Sequence, residues 1–103
     1  MGDAGSAHAR FRRALATGNM FLIRTTAAEL PSVDLGDALA VCVAIRDAEP
    51  ERFERASLRW IARYAIEQAH TIEDVRRAVE AFVAMPQRPN DALVTLQALC
   101  GRR

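Results

Sequence analysis

Four arginines stand at helical spacing in one stretch of this chain: Arg52, Arg55, Arg59 and Arg63. Residues three and four apart share a helix face, so a helix here carries a row of guanidinium groups. Planar guanidinium forks match carboxylates and phosphates, which suits such a row to an acidic protein or to nucleic-acid phosphates. The same row also reads as a solvated face held by Glu51–Arg55 and Arg63–Glu67 pairs, each four residues apart. Glu51, Glu54 and Glu67 dilute the positive field, and the spacing gives Trp60 and Tyr64 to a core rather than to base stacking. Arg76 and Arg77 follow on a later helix and extend the nucleic-acid reading. With the turn Ala69-His70-Thr71 they approximate a helix-turn-helix, but the turn lacks glycine and the helix before it is too long for that unit.

Three further residues are candidates for partner contact. Arg46 falls on the apolar side of its helix, in the last turn, where it either snorkels past the core edge or meets a partner. Phe21 and Leu22 lie off the apolar stripe of theirs, so they are either covered by a neighbouring helix or exposed as a patch.

The chemistry of catalysis finds little support. All fourteen basic residues are arginine, which excludes a lysine Schiff base or a phosphate-loop lysine. No glycine loop of phosphate-cradling pattern is present, and no serine stands in a nucleophile elbow. Cys42 lies in the middle of the most apolar segment, where burial raises a thiol's pKa and makes it inert; Cys100 has no evident activator. His8, His70 and the two cysteines do not occur at the short spacings of metal motifs. His70 is placed to cap a helix C-terminus. The expectation is a protein without metal, cofactor or catalytic site.

The segment Asp34-Leu35-Gly36-Asp37-Ala38-Leu39 resembles the part of acyl carrier proteins in which Asp-Ser-Leu opens a helix, and Thr71-Ile72-Glu73-Asp74-Val75 is similar to their last helix. Ala38 stands where those proteins carry the phosphopantetheine-bearing serine, so no prosthetic group can be attached there. A long helix from Pro50 to Ala69 also has no place in that fold, and the resemblance is confined to about a dozen residues.

The elements that must position these side chains are helical throughout. With 103 residues, half of them hydrophobic and about a quarter charged, the chain fits an ordinary globular domain that buries roughly two-thirds of its unfolded surface. A first helix is expected from Ser6, as N-cap, to Thr17, with Ala7, Phe11, Ala14 and Leu15 inward and Gly18 as its stop. A second starts after Asn19 and ends before Pro31, burying Met20, Ile23, Ala27 and Leu30. The run Ala38–Ile45 is apolar enough for a buried strand, but no second strand exists to pair with it, so a third helix from Leu35 to Ala48 is expected, capped by Asp34. A fourth opens at Pro50 and continues to about Ala69, with Phe53, Ser57, Trp60, Ile61 and Tyr64 on one side and Leu58, Ala62, Ala65 and Ala69 on the next. The fifth begins after Thr71, with Asp74 in a capping-box position, and its stripe is Ile72, Val75, Val79, Phe82 and Val83. The sixth, from about Asn90 to Cys100, turns Ala92, Leu93, Leu96, Leu99 and Cys100 inward, with Gly101 closing it.

Short loops between amphipathic helices make neighbours antiparallel, so the expected fold is all-α, six helices in stacked helical hairpins with the third and fourth central. The two cap segments at Asp34 and Thr71 echo each other at an offset of 37 residues, within the range of helical repeats. One helical domain is expected over residues 6–101, with a flexible start at 1–5 and a short tail at 102–103. The arginine-for-lysine bias and the twenty alanines fit a GC-rich, bacterial coding sequence. No apolar run is long enough to span a bilayer, and arginines occupy the place of a signal peptide's apolar segment, so the expectation is a cytoplasmic protein. The leading functional expectation is a non-catalytic helical domain that binds another protein or itself, as a homodimer. The alternative is a nucleic-acid-associated regulator using the arginine face.

Overall fold

A computed structural model describes residues 3–101, with side chains from Ser6 onward. Among them the chain is all-α: α1 (Asp3–Thr17), α2 (Met20–Ala28), α3 (Leu35–Ala48), a 3-10 turn (Pro50–Arg52), α4 (Phe53–Glu67), α5 (Ile72–Ala84) and α6 (Pro89–Gly101), with no strand. The apolar run in the middle is helix, as the want of a pairing strand requires. No helix among the described residues is long and apolar enough to cross a membrane. Internal contacts divide the chain into two compact units, Met1–Glu54 and Arg55–Arg103.

In the first unit α1 packs against α2 and α3, and α2 against α3. Gly18 ends α1 at φ 72°, a left-handed conformation that a Cβ would strain. Asn19 then accepts the Leu22 N–H and starts α2. Asp34 does the same for Asp37 N–H at the head of α3, at 2.8 Å. Phe11 and Ile23 are fully buried, with Leu35, Leu39, Cys42 and Ile45 of α3 closing the core. Ion pairs fasten these helices to one another. Arg10 of α1 donates to Glu29 at the end of α2, and Arg24 of α2 forks onto Glu49 beyond α3. His8 of α1 meets Asp37 of α3 at 3.0 Å, with Arg12 at 3.8 Å from the same carboxylate.

The second unit is held differently. Trp60 of α4 stacks on Tyr64 at 5.4 Å and meets the Phe82 ring of α5 edge-on at 5.5 Å, all three rings being buried. Gln68 donates to the Cys100 carbonyl and joins the end of α4 to the end of α6. Ala78 and Ala81 of α5 and Ala92 of α6 are buried where the two helices pack closely, small side chains allowing the backbones to approach. The α4–α5 link is closed by a capping box. Thr71 accepts the Asp74 N–H, and the buried Asp74 carboxylate accepts the N–H groups of His70 and Thr71.

Several expectations need correction. α1 begins at Asp3, so Ser6 lies inside it and residues 3–5 are helical; residues 1–2 and 102–103 lie outside the described residues. Alanine, the best helix former, carries the helix back through Ala4. The segment expected as one helix from Pro50 to Ala69 opens with a 3-10 turn and ends at Glu67. Gly101 is the last residue of α6 rather than a stop after it. The largest correction concerns α5. Of its expected inward stripe only Phe82 is buried; Ile72 is 88% exposed, Val83 72% and Val79 39%. The helix turns Asp74, Ala78, Ala81, Phe82 and Met85 inward instead, because the capping carboxylate and close contact with α6 select the face of small side chains. The echo between the two cap segments ends there too: Leu35 is buried, whereas Ile72, at the matching place, is not.

Candidate interaction surface

The second unit presents two helix faces that its own core leaves uncovered. On α4 the inward arc is Ala56, Ser57, Trp60 and Tyr64. Opposite it, Leu58, Ala62 and Ile66 recur every four residues along one exposed line, Ile66 being 86% exposed. Arg55 and Arg59 flank that line. Of the four arginines, Arg63 is forked onto Glu67 at 2.8 and 3.1 Å, the expected pair four residues on. That hydrogen bond holds the Glu67 carboxyl below the usual glutamate range. Arg52 lies in the 3-10 turn of the first unit, 4.0 Å from Glu49. The expected Glu51–Arg55 pair is not formed, and Arg55 and Arg59 make no ion pair among the described residues.

The second face lies on α5. Ile72, Val79 and Val83 share an exposed side with Arg76. Arg76 is engaged within its own helix, where Glu73 and Glu80 both accept from its guanidinium. The Glu73 carboxyl is lowered by that hydrogen bond. Arg77, its neighbour, is turned away toward a groove of about 330 Å³ between α5 and α6, lined also by Glu80, Ala84, Arg88, Asp91 and Thr95. The two adjacent arginines therefore do not form one cationic site.

The remaining candidates belong to the first unit. Phe21 is 75% exposed and Leu22 is exposed beside it, neither being covered by α1. Arg46 is half-buried and donates to Asp47, the next residue, at 3.0 and 2.9 Å. His70 is exposed and enters the second-unit cap through its backbone N–H, not as the C-terminal cap its position suggested. Both cysteines are free thiols, Cys42 buried and Cys100 partly so. No group of three or more His, Cys, Asp or Glu side chains that could hold a metal converges among the described residues.

Sequence reasoning singled out Arg55 and Arg59 and gave Leu58 and Ala62 to a second apolar side of the helix, which the structure leaves exposed. Ile66 was assigned no role, and Ile72, Val79 and Val83 were assigned to the core. The signal that could have found them is the alanine content of α5: Ala78 and Ala81, with Phe82 and Met85, define a second face that is apolar but less greasy. The His8–Asp37 pair was also missed, since its members lie 29 residues apart. It joins two helices, α1 and α3.

No family model, curated protein or solved structure matches the chain.

Proposed function

We propose that this chain is a non-catalytic protein-interaction module whose binding surface lies in residues 55–101. The observation that carries the reading is the uncovered apolar faces of α4 and of α5: Leu58 and Ile66 on the one, Ile72, Val79 and Val83 on the other, with Val94 of α6 also exposed. Six of the eight large hydrophobic side chains exposed among the described residues fall in this unit, which makes it the one with surface to bury. Covering one such side chain fully is worth about 1.5–3 kcal/mol, so two or three anchors suffice for a moderate complex.

Nucleic-acid binding is the competing reading, and Arg55, Arg59, Arg77 and Arg88, none in an ion pair among the described residues, favour it. Against it, α4 interleaves Leu58 and Ile66 with its arginines, and the aromatic rings that could stack on bases, Trp60 and Tyr64, are buried.

A pull-down of the tagged chain from host lysate, with and without nuclease, separates the two. Defined protein partners that survive nuclease support the interaction reading, provided Ile72→Ser with Val83→Ser, or Leu58→Ser with Ile66→Ser, abolishes their capture. Recovery that disappears with nuclease and falls steeply with salt would instead establish the arginines as phosphate contacts.

A further inference from the structure

We propose that the outward face of α4 docks an acidic amphipathic helix of another protein. The inference rests on the interaction reading above and names the partner's chemistry. Leu58, Ala62 and Ile66 form an apolar line of the i, i+4, i+8 kind that receives the apolar stripe of a second helix. Arg55 and Arg59 run beside it one turn apart, exposed and without an ion pair among the described residues, so the line is bordered by positive charge that the unit does not itself neutralise. Among the described residues of the unit, 55–101, six arginines stand against five carboxylates, so the positive border is local to Arg55 and Arg59. Complementarity then calls for a helix with Leu, Ile or Val on one side and Asp or Glu next to them, each carboxylate meeting a guanidinium fork.

A second copy of the chain fits this face less well. Its own carboxylates are largely engaged: Glu67 by Arg63, Glu73 and Glu80 by Arg76, Glu49 by Arg24 and Glu29 by Arg10. An anionic membrane shares the charge logic, but the apolar line is narrow and Trp60, the residue best suited to a headgroup interface, is buried.

The test is selection from a displayed library of random peptides about sixteen residues long, enough to match the fifteen of α4, against the full chain and its Arg55→Glu/Arg59→Glu variant. Both positions are exposed, and circular dichroism checks that the variant keeps its helix content. The expected winners carry apolar residues at three- and four-residue spacing flanked by Asp and Glu. They bind about tenfold or more weakly to the variant and weaken with salt, and the variant itself selects Lys- and Arg-flanked helices. Winners without acidic bias, or an acidic bias unchanged in the variant, overturn the proposal, as does an empty selection. Binding to phosphatidylglycerol vesicles, or concentration-dependent dimerisation that Leu58→Ser/Ile66→Ser abolishes, would reassign the face to a membrane or to a second copy. If the selection fails while a nuclease-resistant partner is still captured through Ile72 and Val83, this proposal falls and the interaction reading stands. Loss of both removes the reading itself.

Discussion

The two units spend their charges in opposite ways. Among the described residues up to Glu54, ion pairs join one helix to another, Arg10 to Glu29, Arg24 to Glu49, His8 and Arg12 to Asp37, with Arg46–Asp47 and Arg52–Glu49 as local exceptions. In residues 55–101 they run within a helix, from Arg63 to Glu67 and from Arg76 to Glu73 and Glu80. Cross-helix pairs fix tertiary structure, whereas pairs inside one helix leave its outer face available. The large exposed hydrophobics among the described residues follow the same division, Phe21 and Leu22 being those of the first unit. The first unit is closed on itself by its polar groups; the second relies on an aromatic and alanine core and keeps apolar surface in reserve.

That contrast can be broken most severely at Trp60. Its ring is buried and touches both Tyr64 and Phe82, so Trp60→Ala removes the contact between α4 and α5. The expected loss is about 3–5 kcal/mol, read by urea unfolding. A loss under about 1 kcal/mol would show that the aromatic cluster does not hold the second unit.

A smaller effect is expected at the α4–α5 link. Asp74→Ala removes the acceptor for the His70 and Thr71 N–H groups while leaving Thr71 to cap alone. Capping losses run at about 0.5–2 kcal/mol, and burial of the site places this one toward the upper end. Hydrogen exchange in residues 68–75 should accelerate along with the fall in melting temperature, and an unchanged exchange pattern would refute the local role of the box.

The smallest effect sharpens the contrast from the first unit's side. The hydrogen bond from Arg24 holds the Glu49 carboxyl below its ordinary value of 4.5. A carboxylate whose folded pKa is depressed stabilises the fold above its unfolded pKa, and that stability is lost as pH falls through the folded one. The pair is solvent-exposed, so the effect is modest and screened by salt. Arg24→Gln should therefore lower the melting temperature slightly at neutral pH and low salt, and the gap to the parent chain should close below about pH 4.5. A gap that persists in acid or in high salt would mean that Arg24 acts through packing.

How much of this was legible in the sequence depended on distance along the chain. The caps at Asn19, Asp34 and Thr71 and the stop at Gly18 were readable, because each is set by a side chain or a φ angle within three residues. Apolar spacing found the inward residues of α1 and α2, since Phe11, Met20 and Ile23 were expected inside and are buried. On α5 the same rule pointed to the wrong face, since the choice between valines and alanines was made by close contact with α6, a tertiary fact. Arg55 and Arg59 stood out by spacing, but their freedom could be known only once Glu51 was seen not to pair with Arg55. Arg24–Glu49 and His8–Asp37 join residues 25 and 29 apart, and no local pattern announces either.

The central claim, that the second unit carries the binding surface, is tested most directly by quantitative capture of partners from lysate with two matched surface variants. Leu58→Ser/Ile66→Ser alters the second unit and Phe21→Ser/Leu22→Ser the first, all four being exposed positions where substitution should change stability by no more than about 0.5 kcal/mol. The account predicts that the Leu58/Ile66 variant loses its nuclease-resistant partners and the Phe21/Leu22 variant keeps them. The reverse pattern would place the interface on α2 and contradict it.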